Sequence, residues 1–359
     1  MSRDLVQAQI LDNIPNPAHG LLTLSPRIGK TKLGIDIIKR EKPKKVLWVT
    51  PNTKLRDEDI PAEFKQWKAT TYLKKTDIIC YASLANHKGN YDKIILDEYQ
   101  DLTLANVEPI LKGRITYKTI LGLSGTHPKH KDKQSIYDIL KLKSLVEMSI
   151  DEAVENKLIA PYKIKIIEID LDARDKYIVG GSKAKPFMQT EKARYEYLTR
   201  LINIKLFSGQ PVPKFFYLNR MRFLYNLKSK HEFAKKLISK LEGRTLIFTG
   251  SIAQAESLCK NTYHSKTDDI LLKKFLEGKI DKLTCVNAGG VGYTYRNVDN
   301  FVITQINSNG KGDSTQKIAR SLVLQEGYVA TIYILVVRNT VDEDWLKKVL
   351  QDFDIKNVE

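Results

Sequence analysis

Apolar residues in the first part of the chain fall into short, nearly unbroken runs: "GLLTL", "KVLWVTP", "DIICYAS", "KIILDE" and "ILGLSGT". Helical patterns such as "TKLGIDIIKRE" separate them. Strands that are apolar throughout and spaced by helices belong to a parallel sheet covered on both faces. The rhythm pauses after "IYDILKLKSLVEMS" and restarts with "YKIKIIEIDL", "RTLIFTG", "LTCVNAGG", "NFVITQ" and "TIYILVV". The pattern therefore predicts an α/β chain of two lobes, residues 1–150 and 151–359, joined around residues 145–165. A basic, aromatic and helical insertion is expected at about residues 172–241, carrying "EKARYEYLTRLINIKLF" and "PVPKFFYLNRMRFLYNLKSKHEFAKKLISKLEG". Its aromatics either stack on bases among phosphate-holding cations or form the core of a helix pair with solvated lysines.

A chain of 359 residues is long enough for two such cores, and its 42% hydrophobic and 28% charged content is that of an ordinary folded protein. No run approaches the ~18 apolar residues of a membrane span, and "MSRDLVQAQILDN" lacks the apolar stretch of a signal peptide. Three cysteines without metal-ligand spacing argue against a disulfide framework. The chain is read as cytosolic, without membrane association.

The net charge of +17 changes the picture, because it favours polyanionic partners. Residues 1–150 carry 25 Lys and Arg against 17 Asp and Glu, and the remainder carries 34 against 25. Both halves are basic, which suits a nucleic acid lying across both better than a single basic tail. A charged, solvated surface is the plainer alternative.

In "GLLTLSPRIGKTKLGIDII" an apolar strand runs through a turn into a helix that starts at Gly29-Lys30-Thr31. This is the context of a phosphate-binding loop, with backbone N–H groups at a helix N-terminus, a lysine for the β/γ oxygens and a threonine for Mg²⁺. One position departs from the pattern: Arg27 stands where a glycine is expected. Further on, "YDKIILDEYQDLT" puts Asp97 and Glu98 at the end of an apolar strand. Triphosphate hydrolysis needs one carboxylate to hold Mg²⁺ and a neighbour to orient or deprotonate water. An acidic loop after a strand is common, but together with Gly-Lys-Thr in one lobe it is much less so.

"DEYQ" followed by "LSGTHP" resembles motifs II and III of superfamily 2 helicases. "RTLIFTGSIAQAESL", "YHSKTDDILLKKFLEGKIDKLTCVNAGGVGYTYRNVDNFVI" and "DSTQKIAR" resemble motifs IV, V and VI in the correct order. The likeness covers almost the whole chain and is greatest to compact phage-type members of the chromatin-remodeller-like and DEAH-like branches. It implies two tandem RecA-like lobes and an ATP- and Mg²⁺-dependent motor on DNA, probed below as a helicase or translocase.

By that resemblance, Pro26, Arg27, Ile28, Gly29, Lys30 and Thr31 form the phosphate loop, with Arg27 a tolerated variant. Lys30 neutralises the transferred phosphate, Thr31 and Asp97 hold Mg²⁺, and Glu98 is the catalytic base. Gln100 senses the γ-phosphate or the facing lobe, Gly292 touches nucleotide, and Ser124 and Thr126 couple hydrolysis to lobe movement. Gln316 opens motif VI and Arg320 is the arginine finger, with a structural ion pair as the alternative for Arg320. A second family arginine is replaced by Val323. An upstream glutamine, Gln7 or Gln9, reads adenine or lies on a solvated helix face.

The nucleic-acid track implied in the first lobe is Thr50, Asn52 and Ser83; in the second it is Thr249, Ser251, His264, Lys266, Gly289 and Gly290. His264 alone would read as a surface or capped histidine. Such motors grip the phosphodiester backbone, so binding is expected to be independent of sequence, and RNA stays open as substrate. The expectation is a monomeric DNA motor for branched DNA in replication or recombination. The alternatives are a binding or annealing module with weak ATPase, and the motor of a larger complex such as a restriction assembly.

Overall fold

The apolar runs of the first lobe become six strands: β1 (Gly20–Leu24), β2 (Val46–Thr50), β3 (Thr76–Cys80), β4 (Gly89–Asp97), β5 (Ile115–Ser124) and β6 (Ser144–Met148). In the computed structural model, which describes residues 3–125, 131–181, 185–286, 295–306 and 313–359, they form one sheet in the order β3-β2-β4-β5-β1-β6. Every neighbouring pair is parallel. All five positions of β1 and of β2 are buried, as unbroken apolar runs covered on both faces must be. The helix Lys30–Glu41 covers one face through Leu33, Ile35, Ile37 and Ile38. Its Gly34 lets it approach closely: a Cβ there would press on Trp48 and Leu123, 3.0 Å from each.

The second lobe repeats the architecture. Its strands are β7 (Tyr162–Ile169), β8 (Tyr177–Gly181), β9 (Pro186–Gln189), β10 (Thr245–Thr249), β11 (Thr262–Tyr263), β12 (Lys282–Val286), β13 (Asn300–Ile303) and β14 (Ala330–Val337). Six of them make a parallel sheet in the order β11-β12-β10-β13-β14-β7. Only the edge strand β7 alternates between buried and exposed positions, and the C-terminal Val358 pairs beside its Ile164. The two compact units are Met1–Ala160 and Pro161–Glu359.

The insertion is helical, as expected, but it begins with an antiparallel hairpin of β8 and β9 that the sequence pattern did not announce. Both strands are short, and β8 ends in Gly180 and Gly181, so neither carries a long run of apolar alternation. Helices Glu191–Phe207, Lys214–Tyr225 and Lys228–Lys240 follow. The third of these belongs to the lobe itself, since Ala234 and Ile238 pack with Ile247, Val302 and Leu335 of the sheet.

Candidate nucleotide site and nucleic-acid track

In a parallel sheet ligands bind beyond the carboxyl ends of the strands. The described motif residues of the first lobe lie there, and they divide by position along the sheet. The phosphate loop follows β1, Asp97 ends β4 and Ser124 ends β5, three adjacent strands. Thr50 ends β2, Asn52 lies just beyond it and Ser83 follows β3, the two strands on the other side of β4. Strand order alone thus separates a nucleotide half from a track half.

Gly29 caps the helix Lys30–Glu41 in the left-handed region, φ 88°, and no side chain caps it. The amide groups at that end are left for an anion. Arg27 is also left-handed, φ 70°, which explains the expected glycine: the turn requires that conformation and arginine adopts it at a cost of ~1 kcal/mol. Gln7 holds the loop from behind. It is buried, and its amide nitrogen donates to the Ile28 carbonyl at 2.6 Å. Its amide oxygen accepts from Lys32 at 2.7 Å, and Lys32 also pairs with Asp36 at 3.2 Å. Gln9 is exposed on the helix Arg3–Asn13, which also carries Gln7. The Gln7–Lys32 tie is a feature that spacing did not reveal.

The residues of motifs I, II and III meet in one chain of contacts. Lys30 Nζ lies 4.0 Å from Glu98 Oε1. Glu98 Oε2 accepts from the Gln100 amide at 2.9 Å, and the Gln100 carbonyl accepts from the Ser124 hydroxyl. Glu98 is left-handed, φ 51°, so the chain turns sharply out of β4 and aims consecutive carboxylates differently. Asp97 is buried, whereas Glu98 is partly exposed. Burial, and then the Glu98 charge, push the Asp97 carboxyl up to about 7, with Lys30 opposing. Tyr81 donates to the Asp97 backbone carbonyl at 3.0 Å and steadies the strand end, another contact with no signal in the sequence.

These donors fit a magnesium nucleotide. Mg²⁺ takes one or two protein carboxylates together with substrate phosphates, and a buried carboxylate disfavoured in its ionised form gains from a cation. Asp97 would supply that ligand, with Thr31 at the first turn of the helix as the second. No cluster of three or more His, Cys, Asp or Glu occurs among the described residues.

Of the remaining nucleotide calls, Thr126 and Gly292 lie outside the described residues. Gln316 and Arg320 sit one turn apart on the helix Asp313–Ser321, and their side chains are outside the description. Val323 is buried in the core just beyond that helix, so a charged finger has no place at its position.

On the track side, Thr50 and Thr249 are buried. Thr249 uses its hydroxyl on the Ser251 and Cys285 carbonyls, at 3.3 and 3.4 Å, and so fixes the turn. Asn52 and Ser251 are partly exposed and cap local backbone, accepting from Leu55 and Gln254. Ser83 and Lys266 are exposed. His264 is the capped histidine of the plainer reading: it is buried, Nδ1 accepts from the Lys266 backbone, and Nε2 lies 3.6 Å from Glu256. Gly289 and Gly290 lie outside the described residues.

No protein-family model matches the sequence, and no curated protein matches it. Solved structures match along nearly its whole length. The helicase domain of Hef from Pyrococcus furiosus aligns with a TM-score of 0.53 at 13% identity, covering 96% of each chain. Dbp5 of S. cerevisiae bound to RNA and ADP BeF3 aligns at 0.54 and 14% identity, over 97% of this chain and 88% of that one. The fold is the one of these solved structures, the Hef helicase domain among them. The two parallel sheets are therefore its tandem RecA-like lobes. A third match with this helicase fold is the ATP-dependent Type ISP restriction-modification enzyme LlaBIII bound to DNA, with a TM-score of 0.60 at 13% identity. It covers 99% of this chain but only 30% of that one.

Proposed function

We propose that the protein is a nucleic-acid-dependent ATPase that converts hydrolysis into movement along DNA. The observation that supports this best is the line Lys30–Glu98–Gln100–Ser124 across the carboxyl ends of three adjacent strands, with buried Asp97 beside it.

In this reading the loop amides and Lys30 hold the phosphates, and phosphate displaces Glu98 from Lys30. Glu98, freed but still held by Gln100, orients the attacking water and accepts its proton. Mg²⁺, bound through Asp97 and Thr31, would neutralise charge building on the phosphates. The Gln100–Ser124 bond passes the state of the site to β5. Arg320, one turn from Gln316 on its helix, would be the arginine finger, and hydrolysis would depend on bound nucleic acid. The residues along the other half of each sheet hold the phosphodiester backbone without reading bases. The DNA-bound restriction enzyme, most of which lies outside this match, favours a motor that serves a larger assembly as the second reading.

The test is ATP hydrolysis with single-stranded DNA, forked DNA or RNA, for the wild type and Glu98→Gln. DNA should stimulate the wild type strongly and the variant not at all. Stimulation by RNA alone moves the substrate to RNA, and a rate indifferent to all of them removes the motor reading.

A further inference from the structure

The insertion resolves the choice left by its sequence: only part of its aromatic surface is core. Tyr195 packs with Leu224, Leu227 and Val337. Phe207 is 90% exposed, and Tyr197, Phe215 and Tyr217 are exposed as well. Residues 172–227 carry eleven Lys and Arg against four Asp and Glu. One of those acids, Glu191, is buried and consumed by hydrogen bonds from Ser229 and the Asp172 backbone.

The insertion is anchored at the carboxyl edge of the second sheet, where the track candidates lie. Gln305, just past β13, donates to the Tyr225 carbonyl at 2.8 Å, and Tyr225 donates to the Ile306 carbonyl at 3.2 Å. The same Gln305 fills the space beside Gly250, between Thr249 and Ser251. Along this edge the described track candidates follow β11 and β10, and the anchor follows β13. Beyond β14 and β7 a groove of about 740 Å³ opens against the helix Glu191–Phe207. Lys192, Glu196, Arg200, Asn203 and Phe207 line its helical wall. Arg338 on the opposite wall is already paired with Asp170 at 2.8 Å, whereas Arg200 and Lys192 have no ion pair among the described residues.

We propose that this groove continues the track and holds a single strand of nucleic acid, with unpaired bases stacked on Phe207 and phosphates on Arg200 and Lys192. The inference deepens the motor reading and rests on it for the direction of the strand. The excess of cations over the whole insertion selects a polyanion over an apolar peptide. Stacking on an exposed ring selects unpaired bases over duplex, whose bases already stack on each other. A groove of this volume takes a few nucleotides and not a paired helix.

The test is fluorescence anisotropy of the full chain with labelled oligothymidylate and with a labelled hairpin duplex, without nucleotide. Because no turnover is involved, the result stands even if the chain proves not to be an ATPase. Phe207→Ala, at an exposed position that folding does not need, should weaken oligothymidylate binding about tenfold and leave duplex binding unchanged. Arg200→Ala should weaken oligothymidylate binding and lower its salt slope by about one. Oligothymidylate affinity within about twofold of wild type in both variants overturns the proposal, and leaves the groove to a protein partner.

Discussion

Glu98 and Lys30 face each other at 4.0 Å across the mouth of the phosphate loop, each partly exposed. A pair at this distance is loose enough to be opened by an entering phosphate, which competes for the lysine and leaves the carboxylate for water. In the proposed mechanism the pair is the form of the site in which Glu98 and Lys30 occupy each other until nucleotide enters.

The hydroxyl of Ser124 joins this pair to β5 through Gln100. Ser124→Ala removes one side-chain hydrogen bond and leaves the loop intact. We expect nucleotide affinity to hold while nucleic-acid-stimulated turnover falls by about tenfold, the loss of a contact worth about 1.4 kcal/mol. Steady-state ATPase beside fluorescent-nucleotide titration separates the two quantities.

The raised pKa of Asp97 gives a stability signature. A carboxyl that binds its proton more tightly folded than unfolded contributes stability that is lost as pH climbs from its ordinary 3.8 to about 7. Asp97→Asn should therefore stabilise the nucleotide-free protein at pH 8, by on the order of a few kcal/mol, and hardly at all at pH 4. Urea unfolding at the two pH values measures it, and an equal gap at both would remove the burial argument.

The loop depends on Gln7 from behind. A Cβ on Gly29 would overlap the Gln7 amide and force a left-handed alanine, so Gly29→Ala displaces both. Gln7→Ala cuts the bond to Ile28 and leaves Lys32 to its pair with Asp36. Both variants should raise KM for ATP about tenfold or more, with Gln7→Ala changing kcat the less. Initial rates over a range of ATP concentrations decide it.

Much of this was legible because the chemistry sits on local pattern. Unbroken apolar runs gave the strands, and Gly-Lys-Thr and Asp-Glu fell at their ends because only there does the chain leave the sheet. What was not legible depends on partners far away in the chain. Lys230 reads as a solvated lysine in "KSKHEFAKK", yet it is buried and donates to Asp342 at 2.8 Å. Lys93, in a strand pattern, pairs in the same way with Glu41 at 2.7 Å. The aromatics of the insertion divide between core and surface by tertiary packing, which composition does not carry.

That hidden pair makes a further prediction. Lys230→Met leaves the Asp342 carboxylate buried without its cation and should cost ~3–5 kcal/mol. Adding Asp342→Leu should recover much of the loss, since two apolar residues replace two opposed charges. Chemical denaturation of the single and double variants is the check.

The role proposed for Arg320 is that of an arginine finger, on which the rate of hydrolysis depends. The measurement is single-turnover ATP hydrolysis at saturating single-stranded DNA, with nucleotide affinity measured in parallel, for wild type and Arg320→Ala. The account predicts a fall of ~10³-fold or more in the rate with nucleotide still bound by the first lobe. A variant that hydrolyses ATP at the wild-type rate would contradict it.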